Sequence, residues 1–413
     1  MEPRETPKPL STTANTIWNA SGCLFYLGCQ WLTTVLVVVL SDGYSNSGLL
    51  AYAMSVGNMF AAFALYKIRT YQVSDVDNLY SGSNYIGFRI FTVLTGYVAF
   101  TIYLVFITND IATIVATLLY LVFRCDDVFT DVVYGIEQRG GRMDYIGKSQ
   151  FIRGVAVIVG FSVPLKLTGN LLAAVGGMSV LCIINTVLFD VSHARRFGAV
   201  KASITRAQIV SLLKACLLPT IANVLANSIV SIARQSYGNM NGSEYLGIYA
   251  SIATPAVLIQ AGVLYLYSPM IGSLATTLHD KGMPAFKVFF LKVLALLMAC
   301  VAVIVVSLSF FGVPLLSTVY GESIRPYTWI FPYALATTAS IALLLYVNDV
   351  LIVLRDGITQ IVINLIGVFV VIVLSHAFFE LWDMNGINLI VIAACIPSAL
   401  IGIFVILLKK ARG

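Results

Sequence analysis

The chain has 413 residues, of which 59% are hydrophobic and only 11% charged, and it carries a net charge of +6. Soluble domains hold about 25% charged residues, so the composition excludes a soluble globular protein and indicates an integral membrane protein. The basic excess does not point to nucleic acid, because Lys and Arg are dispersed along connecting segments. Seven cysteines lie in or beside apolar stretches with no C-x-x-C spacing, and the three histidines stand far apart. Neither a disulfide framework nor a zinc site is expected, and no cofactor is.

In chain order, residues 1–14 form a polar cytoplasmic tail. Spans are predicted near 15–40, 47–67, 88–109, 111–136, 150–168 and 170–191, and then near 207–233, 244–271, 286–312, 327–354, 358–379 and 386–408; residues 409–413 end inside. The windows 15–41, 43–66, 90–109, 167–189, 293–321, 357–379 and 384–408 contain no Asp, Glu, Lys or Arg. Each supplies the ~20 residues that cross a bilayer. Backbone groups in lipid need partners within their own segment, so these runs are helices. The first run is longer than a signal-peptide core and reads as an uncleaved anchor helix.

Orientation follows from the basic residues. With the N-terminus inside, all 25 Lys and Arg fall on the cytoplasmic side except Lys166, Arg234, Arg325 and the intramembrane Arg124. The basic segment 193–206 separates an N-lobe (15–192) from a C-lobe (207–408). The expected fold is therefore all-α and membrane-embedded, with about twelve transmembrane helices in two six-helix lobes around a central cleft, N-in and C-in. External loops are too short for a catalytic domain, which counts against a membrane glycan polymerase or ligase.

The fourth span is the unusual one. Its uncharged part, 111–123, covers only roughly 20 Å of a core roughly 30 Å thick. Arg124, Asp126 and Asp127 thus fall at bilayer depth, with Asp131 near the inner boundary. At about 100° per residue, Arg124, Asp127, Asp131, Tyr134, Gly135 and Gln138 share one stripe, with Asp126 and Glu137 opposite. A charge at mid-bilayer costs about 2.5–3.5 kcal/mol on the mildest scale, so the stripe faces protein or water. It is either an ion-pair cluster stapling helices (or a cytoplasmic continuation of the helix) or the lining of a substrate vestibule. Asp349, in "YVNDVLIVLRD", is a second buried acid, either an interface residue paired with Arg355 or a coupling carboxylate. Asn223 and Asn227, one turn apart, join Gln30 and Asn58 as intramembrane polar residues that bond between helices or line a cleft. Pro164, Pro219, Pro255, Pro332 and Pro397 permit kinks in or near the ends of their helices.

Five segments resemble the polysaccharide-transport branch of the multidrug/oligosaccharidyl-lipid/polysaccharide (MOP) superfamily, the Wzx-like flippases of O-antigen, capsule and teichoic-type repeat units. They are "NTIWNASGCLFYLGCQWLTTVLVVVL" in the first span, "KIRTYQVSDV" (67–76), "DVVYGIEQRGGRMDYIGKSQFIRG" (131–154), "GIYASIATPAVLIQAGVLYLYSP" (247–269) and "FFGVPLLSTVYGE" (310–322). The resemblance implies two bundles that rock between inward- and outward-open states. It implies a polyprenyl-diphosphate-linked glycan as cargo, moved from the inner to the outer leaflet of a bacterial plasma membrane. Membrane lipids and other polysaccharide-assembly proteins would be the partners.

On that footing Arg124 is the candidate for the diphosphate, because its planar fork matches phosphate oxygens. Arg89, at the start of the third span, and Arg234, at the outer end of the seventh, are either interfacial anchors or head-group contacts. Asn223, Asn227, Gln30 and Asn58 are candidates for the sugar. Asp127, Asp131 and Asp349 are candidates for a coupling ion, H+ or Na+. The alternative is a MATE-like drug/cation antiporter, in which the same acids bind cation and proton. The Asp-x-Asp in "SDVD" (74–77) lacks a nucleotide-binding domain, and "GIEQRGGRM" lacks the strand and Lys-Ser/Thr of a phosphate loop, so its glycines read as a turn.

Overall fold

A computed structural model describes residues 7–75, 78–198 and 200–409. Residues 1–6 of the tail, Val76 and Asp77 of the Asp-x-Asp, Ala199 of the basic segment, and 410–413 lie outside the described residues, as do the side chains of 257–266, 268, 269, 309, 311 and 313 in the eighth and ninth predicted spans and just beyond.

The described residues form an all-helical chain whose breaks sit where the sequence supplies caps. α1 (Thr12–Val39) starts at Ser11, whose hydroxyl accepts from Ala14 N at 3.2 Å. α2 (Ser45–Ala64) ends at Tyr66 and Lys67, both with positive φ, and a short α3 (Ile68–Ser74) follows. A Ser81/Asn84 capping box opens α4 (Gly82–Ile107), and Asp110 caps α5 (Ile111–Arg139) by accepting from Thr113 N at 3.0 Å. The Gly140–Gly141 turn leads into α6 (Met143–Thr168); Gly141 has φ 67°, as the expected turn requires. α7 (Leu171–Asn185) runs through a π turn (Thr186–Asp190) into α8 (Val191–Ala194).

α9 (Arg206–Asn241) contains Pro219, and α10 (Ser243–Tyr320) is two helical arms meeting at Gly282, where φ is 75°. The predicted spans 244–271 and 286–312 lie in those arms. The connection between them is helical up to the glycine, because no Pro follows Pro269 until Pro284. A 3-10 turn (Glu322–Ile330) leads to α11 (Phe331–Val353), with Pro332 in its first turn, and α12 (Gly357–Trp382) and α13 (Gly386–Leu408) end the chain.

Among the described residues, nine stretches are long and apolar enough to cross a membrane. α5 is not one of them, because Arg124, Asp126 and Asp127 interrupt its apolar run. The chain divides into two compact units, Met1–Thr220 and Ile221–Gly413, with the division just after Pro219.

In the first unit α5 is the hub, packed by α2, α3, α4, α6, α7 and α8. One apolar cluster around Tyr120, Phe123, Phe161 and Met178 fills the first half of α5, and a second around Tyr66, Phe88, Val132 and Val133 fills the other. α1 lies tightly on α6, since a Cβ on Gly22 would stand 2.6 Å from Gly147 Cα. Close crossing through small residues gives helices in lipid their packing contacts. In the second unit, α11 packs on α10, α12 and α13, and α12 on α13.

Candidate functional site

The charges of α5 are paired on both faces of the helix. Arg124 donates to Asp127 Oδ2 at 2.5 Å, and Tyr26 of α1 donates to Asp127 Oδ1 at 3.1 Å. One turn on, Asp131 accepts from Arg89 of α4 at 2.7 Å and from Arg69 of α3 at 3.4 Å. Arg69 also reaches Gln138 Oε1, at 2.9 Å. Gly135 sits beside that pair because Gln72 of α3 occupies the space its Cβ would need.

The opposite face is served by Arg153 of α6, whose side chain is 1% exposed. It donates to Asp126 Oδ2 at 2.5 Å, Thr186 Oγ1 at 2.8 Å and Thr130 Oγ1 at 3.0 Å. It also stands 3.7 Å from Asp127 and 3.9 Å from Asp190. Arg153 therefore joins the two faces. The π turn places Thr186 and Asp190 toward it, a role such bulges often fill at functional sites. Asn185 bonds Ser149 at 3.1 Å and Asp190 at 3.4 Å, and Tyr134 shares a hydrogen bond with Ser149 at 2.8 Å.

Four arginines (69, 89, 124, 153) meet four aspartates (126, 127, 131, 190), so the network is close to neutral. Glu137 is a further acid, fully buried, whose carboxylate oxygens meet no hydrogen-bond donor among the described residues.

These placements sort the expected site residues. Arg124 with Asp127, and Arg89 with Asp131, are brought together. Arg89 is not an interfacial anchor, as the positive-inside pattern suggested. It is wholly buried, and its guanidinium bonds Ala64 O at 2.6 Å as well as Asp131. The Arg124–Asp127 pair is the more accessible one, at 16% and 22% exposure.

Gln30 is half-buried one turn from Tyr26 on α1, and Asn58 is exposed on α2 beside Gly57, which packs on Tyr120 and Arg124. Asn227 donates to Asn223 O at 2.8 Å within α9. Arg234 lies over the Tyr249 ring at 5.8 Å, and Asp349 accepts from Tyr267 at 2.8 Å. Near Asp349, Asn348 and Asn364 exchange amide hydrogen bonds at 3.1 and 2.8 Å.

Arg153, Asp190, Tyr26 and Arg69 are the site residues that the sequence reading missed. A signal existed for two of them: Arg153 and Asp190 lie at the same end of adjacent predicted spans, one positive and one negative.

Comparison with solved structures places the fold. The chain superposes with a TM-score of 0.72, at 11% identity, on an inward-facing multidrug resistance MATE family transporter of the MOP superfamily, covering 91% of this chain and 93% of that one. An outward-facing structure of the same description gives 0.61 at 11% identity, over 95% and 94%. A MOP superfamily transporter from Pyrococcus furiosus, described as having a reversed binding-pocket polarity that suggests a different function, gives 0.59 at 14% identity, over 94% and 93%. No family model matches the sequence, and no curated relative does. The protein thus has the fold of the MOP-superfamily transporters, a multi-pass membrane fold.

Proposed function

We propose that the protein is a secondary transporter working by alternating access, with cargo exchange coupled to a cation in the manner of a MATE antiporter. The observation that carries this reading is the pairing of every arginine in the first unit's interior with a carboxylate. A site built to receive a diphosphate would hold cations in excess. A neutral network with partly exposed carboxylates suits a cation that displaces Arg124 from Asp127. Asp349, which accepts from the Tyr267 hydroxyl, is the second coupling carboxylate.

A second reading, a flippase for polyprenyl-diphosphate-linked oligosaccharides, is favoured by the five family-like segments and by the accessibility of Arg124. Separation from Asp127 would free its guanidinium for a diphosphate. On that reading the protein serves polysaccharide assembly in a bacterial plasma membrane, with the glycan carrier as its partner.

Depletion in the native host, combined with dye-efflux assays in everted vesicles, separates the two. Cation-driven dye movement with no build-up of lipid-linked glycan supports the antiporter. Glycan accumulating on the cytoplasmic leaflet, with no dye movement, replaces it with the flippase.

A further inference from the structure

The ring of Tyr145, in the first turn of α6, is surrounded by cations from three segments of the first unit. The Arg142 guanidinium, in the α5–α6 turn, lies 4.4 Å from the ring centroid. Lys148 Nζ, on α6, lies at 5.8 Å, and the Arg196 guanidinium, just past α8, at 6.0 Å. One carboxylate, Asp144, serves two of them, with Arg142 at 2.8 and 3.0 Å and Lys148 at 3.0 Å. Arg196 is exposed and pairs with no acid among the described residues, and Lys148 keeps 45% of its side chain exposed. The cluster therefore holds more positive than negative charge at an accessible surface, a local field that attracts an anion.

An apolar surface runs from this cluster along the seam of α1 and α6. Lys148 Nζ stands 5.3 Å from the Trp18 ring of α1, and farther along, the rings of Phe25 and Phe151 lie 4.8 Å apart. Ile152 and Val155 follow Lys148 at the i+4 and i+7 spacing of one helix face, and both are exposed, as are Trp18 and Phe25. Cations at the end of a spanning helix, beside an exposed indole and above an exposed aliphatic stripe, match the cross-section of a phospholipid. Interfacial Trp and Tyr sit at head-group level.

We propose that this seam seats an anionic phospholipid, its phosphate held by Arg142, Lys148 and Arg196 and an acyl chain lying over Trp18, Phe25, Ile152 and Val155. The site does not depend on which cargo the protein carries. A zwitterionic lipid would bind less well, because its own cation opposes the cluster.

The test uses the full-length protein in detergent, with native mass spectrometry reading retained phosphatidylglycerol against phosphatidylcholine. Wild type retains phosphatidylglycerol preferentially. Each of Arg142→Gln, Lys148→Gln and Arg196→Gln lowers that retention about fivefold, since a cation near a lipid surface contributes about 1 kcal/mol. Lys148→Arg restores it, and Lys281→Gln, an exposed cation on α10, leaves it unchanged. Equal retention of both lipids, or unchanged retention in the three glutamine variants, overturns the proposal. Inorganic phosphate that displaces the lipid at low millimolar concentration would also overturn it, by making this a site for the free anion.

Discussion

The polar interiors of the two units differ in kind. In the first, α5 carries a ladder of ion pairs in which Arg153, Arg124, Arg69 and Arg89 are each tied to an aspartate. In the second, around α11, the polar contacts are mostly neutral: Asn348 with Asn364, Tyr249 with Asn388 at 2.9 Å, Tyr346 with Phe290 O at 3.1 Å, and one carboxylate, Asp349, held by Tyr267. Burying charge is costly unless every member is paired, whereas neutral amide pairs can separate at lower cost. The first unit is thus held by charge, enclosed at Arg153 and Arg89 and more exposed at the Arg124–Asp127 pair. The second meets its acid, Asp349, with a neutral tyrosine hydroxyl.

Breaking the ladder at its centre should have the largest effect. Arg153→Met leaves Asp126 and Asp190 without their buried cation and should cost about 3–5 kcal/mol. A thermal melt in detergent will show it, and adding Asp126→Leu should recover much of the loss if pairing is the cause. At the Arg124–Asp127 pair, Arg124→Gln should cost about 2 kcal/mol of stability, less than Arg153→Met because Asp127 keeps Tyr26 and Arg153 as neighbours, yet strongly impair transport. A variant that is as stable as wild type and transports normally would move Arg124 out of the site.

In the second unit, Asn364→Ala removes the exchange with Asn348 and should cost about 0.6–1.7 kcal/mol, in line with hydrogen bonds between membrane helices. A larger loss there than for Arg153→Met would reverse the comparison.

The smallest effect concerns Asp356, in the α11–α12 connection. Burial tends to raise its carboxyl, but Lys409 at 2.6 Å and the Thr359 hydroxyl and amide outweigh burial and hold it below the ordinary range. The unfolded chain then binds more protons than the folded one below about pH 3.9. The contribution is full above that value and is lost as pH falls through the lowered folded value. Asp356→Asn should flatten that acid slope in a pH series of melts. Asp75, between α3 and α4, behaves alike: burial raises it, and bonds from Leu79 N, Tyr85 and Tyr80 N prevail and lower it.

Much of this was legible in the sequence. Charge-free windows located most helices, because lipid forces an apolar run to satisfy its own backbone. The α5 stripe and the opposite placement of Asp126 followed from helical periodicity alone. What the sequence hid was partner choice between helices. Arg153 reads as one more basic residue at a helix end, and only its bonds to Asp126, Thr130 and Thr186 show that it points inward. Arg89 misleads for the same reason, since the positive-inside pattern does not say whether a cation at a helix end snorkels or is enclosed. The helical continuation of α10 to Gly282 was equally hidden, because the connection's polarity resembles a loop.

The most direct test of the central claim is gradient-driven dye counterflow in proteoliposomes for wild type, Arg124→Gln, Asp127→Asn and the double variant. If opening of the Arg124–Asp127 pair couples a cation to transport, both single variants lose gradient dependence. The double variant, with no lone charge left behind, melts near wild type but stays uncoupled. Wild-type coupling in Asp127→Asn, or recovery of coupling in the double variant, would contradict the account.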